Sequence, residues 1–219
     1  MSQENTGFLY PFLEAEERDA ASLLADLAES ARAKAAESAA LRRRTLAECA
    51  DRIETAGAEM ARRFAAGGRM YTFGNGGSST DAATLAALFS HPPYGRPLPA
   101  WSLAADQAVV TALGNDVGFD LVFSRQLIAR ARPGDIAVAL STSGDSADLT
   151  TALAEAKRRG LFTIGFAGYD GGSFASGGDV DVCFVVRSQS VHRIQESQAL
   201  LGYQLWAAVH DHLTAGGSR

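Results

Sequence analysis

Two short segments rich in glycine and serine carry the side chains best suited to hold a small anion. Residues 74–79 read Gly-Asn-Gly-Gly-Ser-Ser and follow the apolar run 70–73. Residues 141–146 read Ser-Thr-Ser-Gly-Asp-Ser and follow 136–140, the most apolar predicted strand. Hydroxyls and main-chain N–H groups at the start of a helix can bind phosphate without lysine or arginine, and glycine lets a ligand approach the backbone closely. This composition predicts a site for a small phosphorylated metabolite.

Each segment also has a simpler interpretation. The first lacks the Gly-Lys-Ser/Thr of a Walker loop and the acidic residue of a dinucleotide fingerprint, so it could be a plain strand-to-helix connection. The second could be a helix cap, because serine and aspartate are preferred there. One serine would satisfy a cap, however, and four hydroxyls in six residues favour a phosphate cradle.

These segments must be positioned by strands and helices. After Gly68 short β-prone runs alternate with helical stretches, and strands separated by helices form parallel crossovers. The predicted fold is a flavodoxin-like three-layer α/β/α sandwich with a mainly parallel five-stranded sheet, in which ligands bind beyond the carboxyl ends of the strands. The predicted strands are 70–73, 100–103, 136–140, 162–166 and 180–186; the predicted helices are 80–89, 106–113, 119–131, 147–159 and 192–213, with a turn at 114–116 and a loop at 167–178.

The segment before Gly68 is predicted to be a helical arm. Its apolar residues recur at helical spacing from Leu23 to Phe64, which indicates two amphipathic helices or one broken helix. Such an arm has little to bury itself against alone, so it should pack on the following domain or on a second copy of the chain. We therefore expect an oligomerisation arm over 1–67 and a ligand-binding domain over 68–215.

Composition excludes several classes of protein. The 219 residues have a formal net charge of −5, which argues against a broad nucleic-acid footprint. The two cysteines, Cys49 and Cys183, are far apart and show no ligand spacing, so neither a disulfide framework nor a zinc finger is expected. With no leader-like start and no run of 18 apolar residues, we expect a cytoplasmic protein with no membrane span.

Five motifs in order resemble the sugar isomerase (SIS) fold, and within it the phosphoheptose isomerase group. They are Gly-Asn-Gly-Gly-Ser at 74–78, Gly-Asn-Asp at 114–116, Ser-Thr-Ser-Gly-Asp-Ser at 141–146, Gly-Tyr-Asp-Gly-Gly at 168–172 and Arg-Ile-Gln-Glu at 193–196. The match runs from about residue 40 to the end. Members of the group interconvert sedoheptulose 7-phosphate and an aldoheptose phosphate, and their subunits usually form tetramers whose sites are shared between subunits.

The resemblance implies a role for each motif residue. Asn75, Gly76, Gly77 and Ser78 would hold the sugar, and Asn115 and Asp116 would line the pocket. Ser141, Thr142, Ser143 and Ser146 would cradle the phosphate. Gln195 would face the same pocket from the last helix. The implied partners are a small phosphorylated sugar and further copies of the chain in a homotetramer.

The chain departs from the group at its chemical centre. Moving a carbonyl between C1 and C2 needs a base, and the resemblance implies a glutamate and a histidine where this chain has Leu88 and Tyr203. The resemblance also implies an additional zinc-binding histidine where this chain has Thr84. Of the implied zinc ligands, only Gln195 is therefore present. Leucine has no titratable group, and a phenol with a pKa near 10 is a poor base at neutral pH. One amide oxygen cannot hold zinc. We therefore expect no metal cofactor.

His192, three residues before Gln195, stands where the group usually has an acidic residue. An imidazole there could act as a base, bind phosphate as a cation or cap the helix. Glu196 could orient it, or could be a solvated or intersubunit carboxylate.

Three hypotheses remain. The favoured one is a phosphosugar-binding or regulatory member, similar in its missing catalytic groups to the DnaA initiator-associating protein, an SIS tetramer. The second is an active isomerase with relocated acid/base groups, His192 and possibly Asp116 or Glu196. The third is a purely structural use of the fold.

Overall fold

A five-stranded, all-parallel sheet forms the centre of the protein. The computed structural model describes residues 20–216, and the order of the strands in the sheet is β2-β1-β3-β4-β5. The strands are β1 Met70–Gly74, β2 Ala100–Ser102, β3 Ile136–Leu140, β4 Phe162–Gly168 and β5 Val182–Val186. Every neighbouring pair is parallel, which confirms the predicted sheet.

Helices cover both faces of this sheet. They are α1 Ala20–Ala65, α2 Gly76–Ser90, α3 Gln107–Asp116, α4 Val122–Arg130, α5 Ala147–Arg158, α6 Gly172–Ser176 and α7 Val191–Gly216, with a 3-10 turn at Phe119–Leu121. Alternate β3 residues face opposite cores: Ile136 and Val138 pack with α1, α2 and α7 residues, whereas Ala137 and Ala139 pack with α4 and α5 residues. The predicted three-layer sandwich is therefore confirmed.

The helix α1 runs unbroken through Gly57, so the prediction of two amphipathic helices or one broken helix was wrong. A methyl group built on Gly57 would lie 2.8 Å from Cβ of Ala208 on α7. Glycine at this position therefore permits close approach of the two helices, and this packing compensates for its poor helix propensity.

The chain divides into compact units at Ala40 and Leu41, not at the predicted boundary after residue 67. In the first unit, α1 exposes Leu23, Leu24 and Leu27. In the second unit, the α1 residues from Leu41 to Phe64 include buried members of the core, so this part of the helix belongs to the sandwich. The oligomerisation role of the arm stays a prediction.

Three predictions of local structure, two of loops and one of a helix, were wrong in detail. Residues 114–116, expected as a turn, form the last turn of α3. The predicted helix 119–131 begins as a 3-10 turn, and α6 lies inside the predicted loop 167–178. No helix in the described range 20–216 is long and apolar enough to cross a membrane.

Asp135 ties together the amino end of the sheet. Its side chain is buried, and its two carboxylate oxygens accept the backbone N–H groups of Arg69 and Arg132, both at 2.8 Å. We expect Asp135→Ala to lower the free energy of unfolding by about 2–4 kcal/mol, because two partly buried donors lose their acceptor and a buried side chain is removed. Denaturant unfolding measures this loss, and Asp179→Ala, at an exposed aspartate, is the control. Equal stability of the two variants would contradict the assignment.

Candidate functional site

The two segments rich in glycine and serine start side by side at the carboxyl end of the sheet. We call residues 74–79 the glycine loop and residues 141–146 the serine loop. Strands β1 and β3 are paired neighbours, and their last residues, Gly74 and Leu140, are register partners. The segments 75–79 and 141–146 therefore leave the sheet at adjacent points, each leading into a helix. This is the position at which open parallel sheets bind ligands.

The glycine loop is shorter than predicted because α2 begins at Gly76 rather than near residue 80. Asn75 is the N-cap, and the N–H of Ser79 donates to the Asn75 carbonyl at 3.2 Å. A methyl group on Gly77 would lie 2.5 Å from Nε2 of Gln195. Gly77 and Gln195, predicted to share a pocket, thus lie against each other.

The side chain of Asn75 connects the two loops. Its Nδ2 donates to both carboxylate oxygens of Asp148, at 3.0 and 2.9 Å. Because the amide has one carbonyl oxygen and one NH2 group, its Oδ1 is left to accept a hydrogen bond. An acceptor suits a sugar hydroxyl better than a phosphate oxygen.

Internal hydrogen bonds shape the serine loop. Oγ of Ser141 accepts the N–H of Gly144 at 3.0 Å, and Oγ of Ser143 accepts the N–H of Asp145 at 3.3 Å. The carboxylate of Asp145 accepts both the N–H and the hydroxyl of Ser173, at 2.7 and 2.8 Å, and the hydroxyl bond, the larger cause, lowers the pKa of Asp145. The loop after β4 therefore braces the serine loop.

Three hydroxyls of the serine loop fit a phosphate cradle. Thr142, Ser143 and Ser146 are partly exposed, whereas Ser141 is buried. Ser146 is the N-cap of α5, but its side chain makes no capping hydrogen bond. A cap is therefore not the whole explanation of this segment, and the hydroxyls stand beside the positive end of a helix.

A small cavity lies between α2 and α7, at Leu88 and Tyr203, where the resemblance implies a glutamate and a histidine. Its volume is about 60 Å³, roughly the share of two water molecules in the liquid. Leu88 and Tyr203 line it together with seven other residues: Asp81, Thr84, Leu85, Leu140, Gln198, Ala199 and Gly202.

Two polar side chains missed by the sequence analysis face this cavity. Asp81 accepts Nε2 of Gln195 at 3.1 Å, and burial raises the pKa of its carboxyl. Gln198 is buried and donates from Nε2 to the Ser141 carbonyl at 2.7 Å, while its Oε1 has no hydrogen-bond partner in the described range 20–216. Asp81 lies seven residues before Leu88, a spacing that puts both on one face of α2 and could have signalled its role.

The ring of Tyr203 belongs to an aromatic cluster. Its ring packs on Trp206, with centroids 5.3 Å apart, and Tyr94 packs on the same tryptophan at 4.6 Å. A hydrogen bond between the two hydroxyls raises the pKa of Tyr94. On α2, Thr84 donates its hydroxyl to the Thr80 carbonyl at 3.0 Å, and the half-buried Leu88 packs against the core.

Of the remaining predicted residues, Ser78 is buried near the start of α2, whereas those on α3 and α7 are exposed and are not brought into these contacts. Asn115 donates to its neighbour Asp116 at 2.8 Å at the end of α3. His192 is exposed in the first turn of α7. Glu196 forms an ion pair with Arg42 on α1 at 2.8 Å, so its carboxylate has a partner other than the proposed imidazole.

The residues at the implied zinc positions do not fit a metal ion. Leu88 has no donor atom, and the hydroxyls of Thr84 and Tyr203 have partners within the protein. The NH2 group of Gln195 donates to Asp81, so its amide oxygen is the one atom of this side chain that could bind a metal. Among residues 20–216 no three His, Cys, Asp or Glu side chains are grouped to hold a metal.

Comparison with known proteins places this geometry in a family. The family model of the SIS domain matches residues 35–168, more than half of the chain. The phosphoheptose isomerase of Rhodospirillum rubrum is 40% identical over 170 residues, 77% of this chain and 89% of that protein. That of Paramagnetospirillum magneticum is 45% identical over 144 residues, 65% of this chain and 74% of that protein.

Solved structures lead to the same family. The phosphoheptose isomerase from Neisseria gonorrhoeae superposes with a TM-score of 0.79 at 35% identity, covering 84% of this chain and 99% of that one. The enzyme from Francisella tularensis gives 0.78 at 27% identity, with 84% and 97% covered. This chain therefore belongs to the phosphoheptose isomerase family of SIS domain proteins.

Proposed function

We propose that this protein binds a small phosphorylated sugar and does not isomerise it by the route that the family resemblance implies. The observation that carries the proposal is the contrast between the two halves of the site. The loops at the ends of β1 and β3 offer hydroxyls, amide groups and a helix N-terminus. The adjoining cavity contains Leu88 and Tyr203, and it is about 60 Å³ in volume.

Binding without turnover is typical of a sensor or an adaptor. The phosphate would lie on Thr142, Ser143 and Ser146, and the sugar hydroxyls would meet Asn75 and Gln195. We also propose that the site works without zinc, because one amide oxygen is the only ligand left of the implied set. The homotetramer, the cytoplasmic location and the absence of nucleic-acid binding stay predictions from the sequence.

An NMR time course with sedoheptulose 7-phosphate tests the proposal, because proton and phosphorus signals report binding and conversion together. We expect shifted or broadened ligand signals and no new aldose signals. Ser143→Ala should weaken the affinity roughly tenfold, the cost of one hydrogen bond to a charged group. Ser90→Ala, at the far end of α2, is the matched control. Unchanged affinity in Ser143→Ala would remove the serine loop from the site.

The alternative is an isomerase with relocated acid/base groups. His192, Asp116 and Glu196 are exposed, whereas the carboxyl of Asp81 lines the cavity and has a pKa raised by burial. New aldose signals in the same time course would favour this alternative, and loss of the rate in His192→Ala or in Asp81→Asn would identify the base.

A further inference from the structure

The first turn of α5 contains a carboxylate at the place where phosphate binding is expected. Asp148 is the second residue of the helix, two residues after the last hydroxyl of the serine loop, and only 3% of its surface is exposed. Its carboxylate is therefore held inside the candidate site and is not solvated on the surface.

This carboxylate already uses the groups that attract anions. Both of its oxygens accept Nδ2 of Asn75. It also interacts with the backbone N–H groups of Leu149 and of Asp148 itself, which lower its pKa, although burial has the larger effect and raises it. Unpaired N–H groups at a helix start are the usual donors to a bound phosphate.

A second carboxylate adds to the charge at Asp148. Asp120, in the 3-10 turn before α4, raises the pKa of Asp148 electrostatically. Asp145 belongs to the serine loop itself, and its carboxylate is bound to Ser173. A phosphate dianion in the cradle would therefore lie close to carboxylates from three elements: the 3-10 turn, the serine loop and α5.

We propose that Asp148 is an internal anion that competes with the phosphate of the ligand for the α5 N-terminus and for the amide of Asn75. This inference rests on the proposed function, since it describes what limits binding at the same loops. Asp148 thus acts as a specificity-determining residue: it disfavours dianionic phosphate esters relative to uncharged sugars and leaves the hydroxyls of Thr142, Ser143 and Ser146 as the main phosphate contacts.

The test is the affinity of Asp148→Asn for sedoheptulose 7-phosphate, measured by titration calorimetry at pH 7 and low salt. Asparagine keeps the size of the side chain and removes its charge. We expect binding to tighten about tenfold, the effect of removing one nearby unit charge at the dielectric of a protein surface. Asp179→Asn makes the same change of net charge in an exposed loop before the amino end of the edge strand β5, and should have little effect.

A second ligand separates charge from shape. Uncharged sedoheptulose should bind the wild type and Asp148→Asn with the same affinity, and thermal unfolding of both proteins controls for folding. If the wild type binds the phosphate ester and Asp148→Asn binds it equally or less well, the inference is overturned and the proposed function stands. Binding by Asp148→Asn alone would support the inference and contradict the proposed function for the wild type. Absence of binding in both would overturn both.

Discussion

The double variant Leu88→Glu/Tyr203→His is expected to isomerise sedoheptulose 7-phosphate at least roughly 100-fold faster than the wild-type protein. General acid–base groups contribute about 100-fold to 10,000-fold when they are well placed, and these two positions line one cavity between α2 and α7. The variant supplies a carboxylate and an imidazole. At these positions the wild type has leucine, which has no titratable group, and tyrosine, whose hydroxyl bonds to Tyr94.

The surroundings favour a working base at residue 88. The carboxyl of Asp81 lines the same cavity, and burial raises its pKa. A second carboxylate nearby should therefore have a raised pKa, because burial and a like charge both disfavour ionisation. A raised pKa brings the introduced glutamate closer to the range in which a general base works at neutral pH.

The rate is measured by proton NMR at pH 7, with the appearance of aldose signals as the readout. Leu88→Gln/Tyr203→Phe is the matched control, since it makes changes of similar size without acid/base groups. Each single variant should stay near the wild-type rate. A double variant that folds, binds the ligand and shows no conversion would mean that more than two side chains separate this chain from catalysis.

Gly144→Ala should abolish phosphosugar binding and lower the free energy of unfolding by about 3 kcal/mol or more. Gly144 has a φ of +78°, which costs about 1–2 kcal/mol for a residue with a Cβ. In addition, a methyl group there would lie 2.3 Å from the carbonyl oxygen of Gly171. Backbone cannot yield cheaply, so the serine loop and the loop after β4 must separate.

Gly134→Ala isolates the two causes. Gly134 has a φ of +95°, but a methyl group there would have no neighbour within 4 Å. It should lose only the conformational cost of about 1–2 kcal/mol and keep full binding. Urea unfolding and NMR titration measure the two effects. Equal losses in the two variants would show that contact with Gly171 does not matter.

The local sequence was enough to predict the sheet and its two loops. The apolar run from Ile136 to Leu140 can only be satisfied by burial on both faces, and the run from Met70 to Phe73 behaves alike. Such strands imply a parallel sheet with helices on both sides. The end of each strand then determines where the glycine loop and the serine loop must lie.

Element boundaries were predicted less well than the elements themselves. The helix α2 begins at Gly76 with Asn75 at the N-cap position, and the side chain of Asn75 bonds to Asp148, 73 residues away, instead of capping the helix. Residues 114–116 contain glycine and asparagine, which locally favour a turn, yet they remain helical at the end of α3. No residue of α3 is buried, so packing does not explain this difference.

The sequence by itself determined the fold, the loops at the end of the sheet and the absence of a glutamate and a histidine at Leu88 and Tyr203, because strand periodicity and residue type are local properties. Only the tertiary structure showed that Asp81 shares the cavity with these residues and that Asp148 bonds to Asn75, beside the proposed phosphate cradle. Those relations join positions far apart in the chain, and burial and charge at such positions depend on how the helices pack.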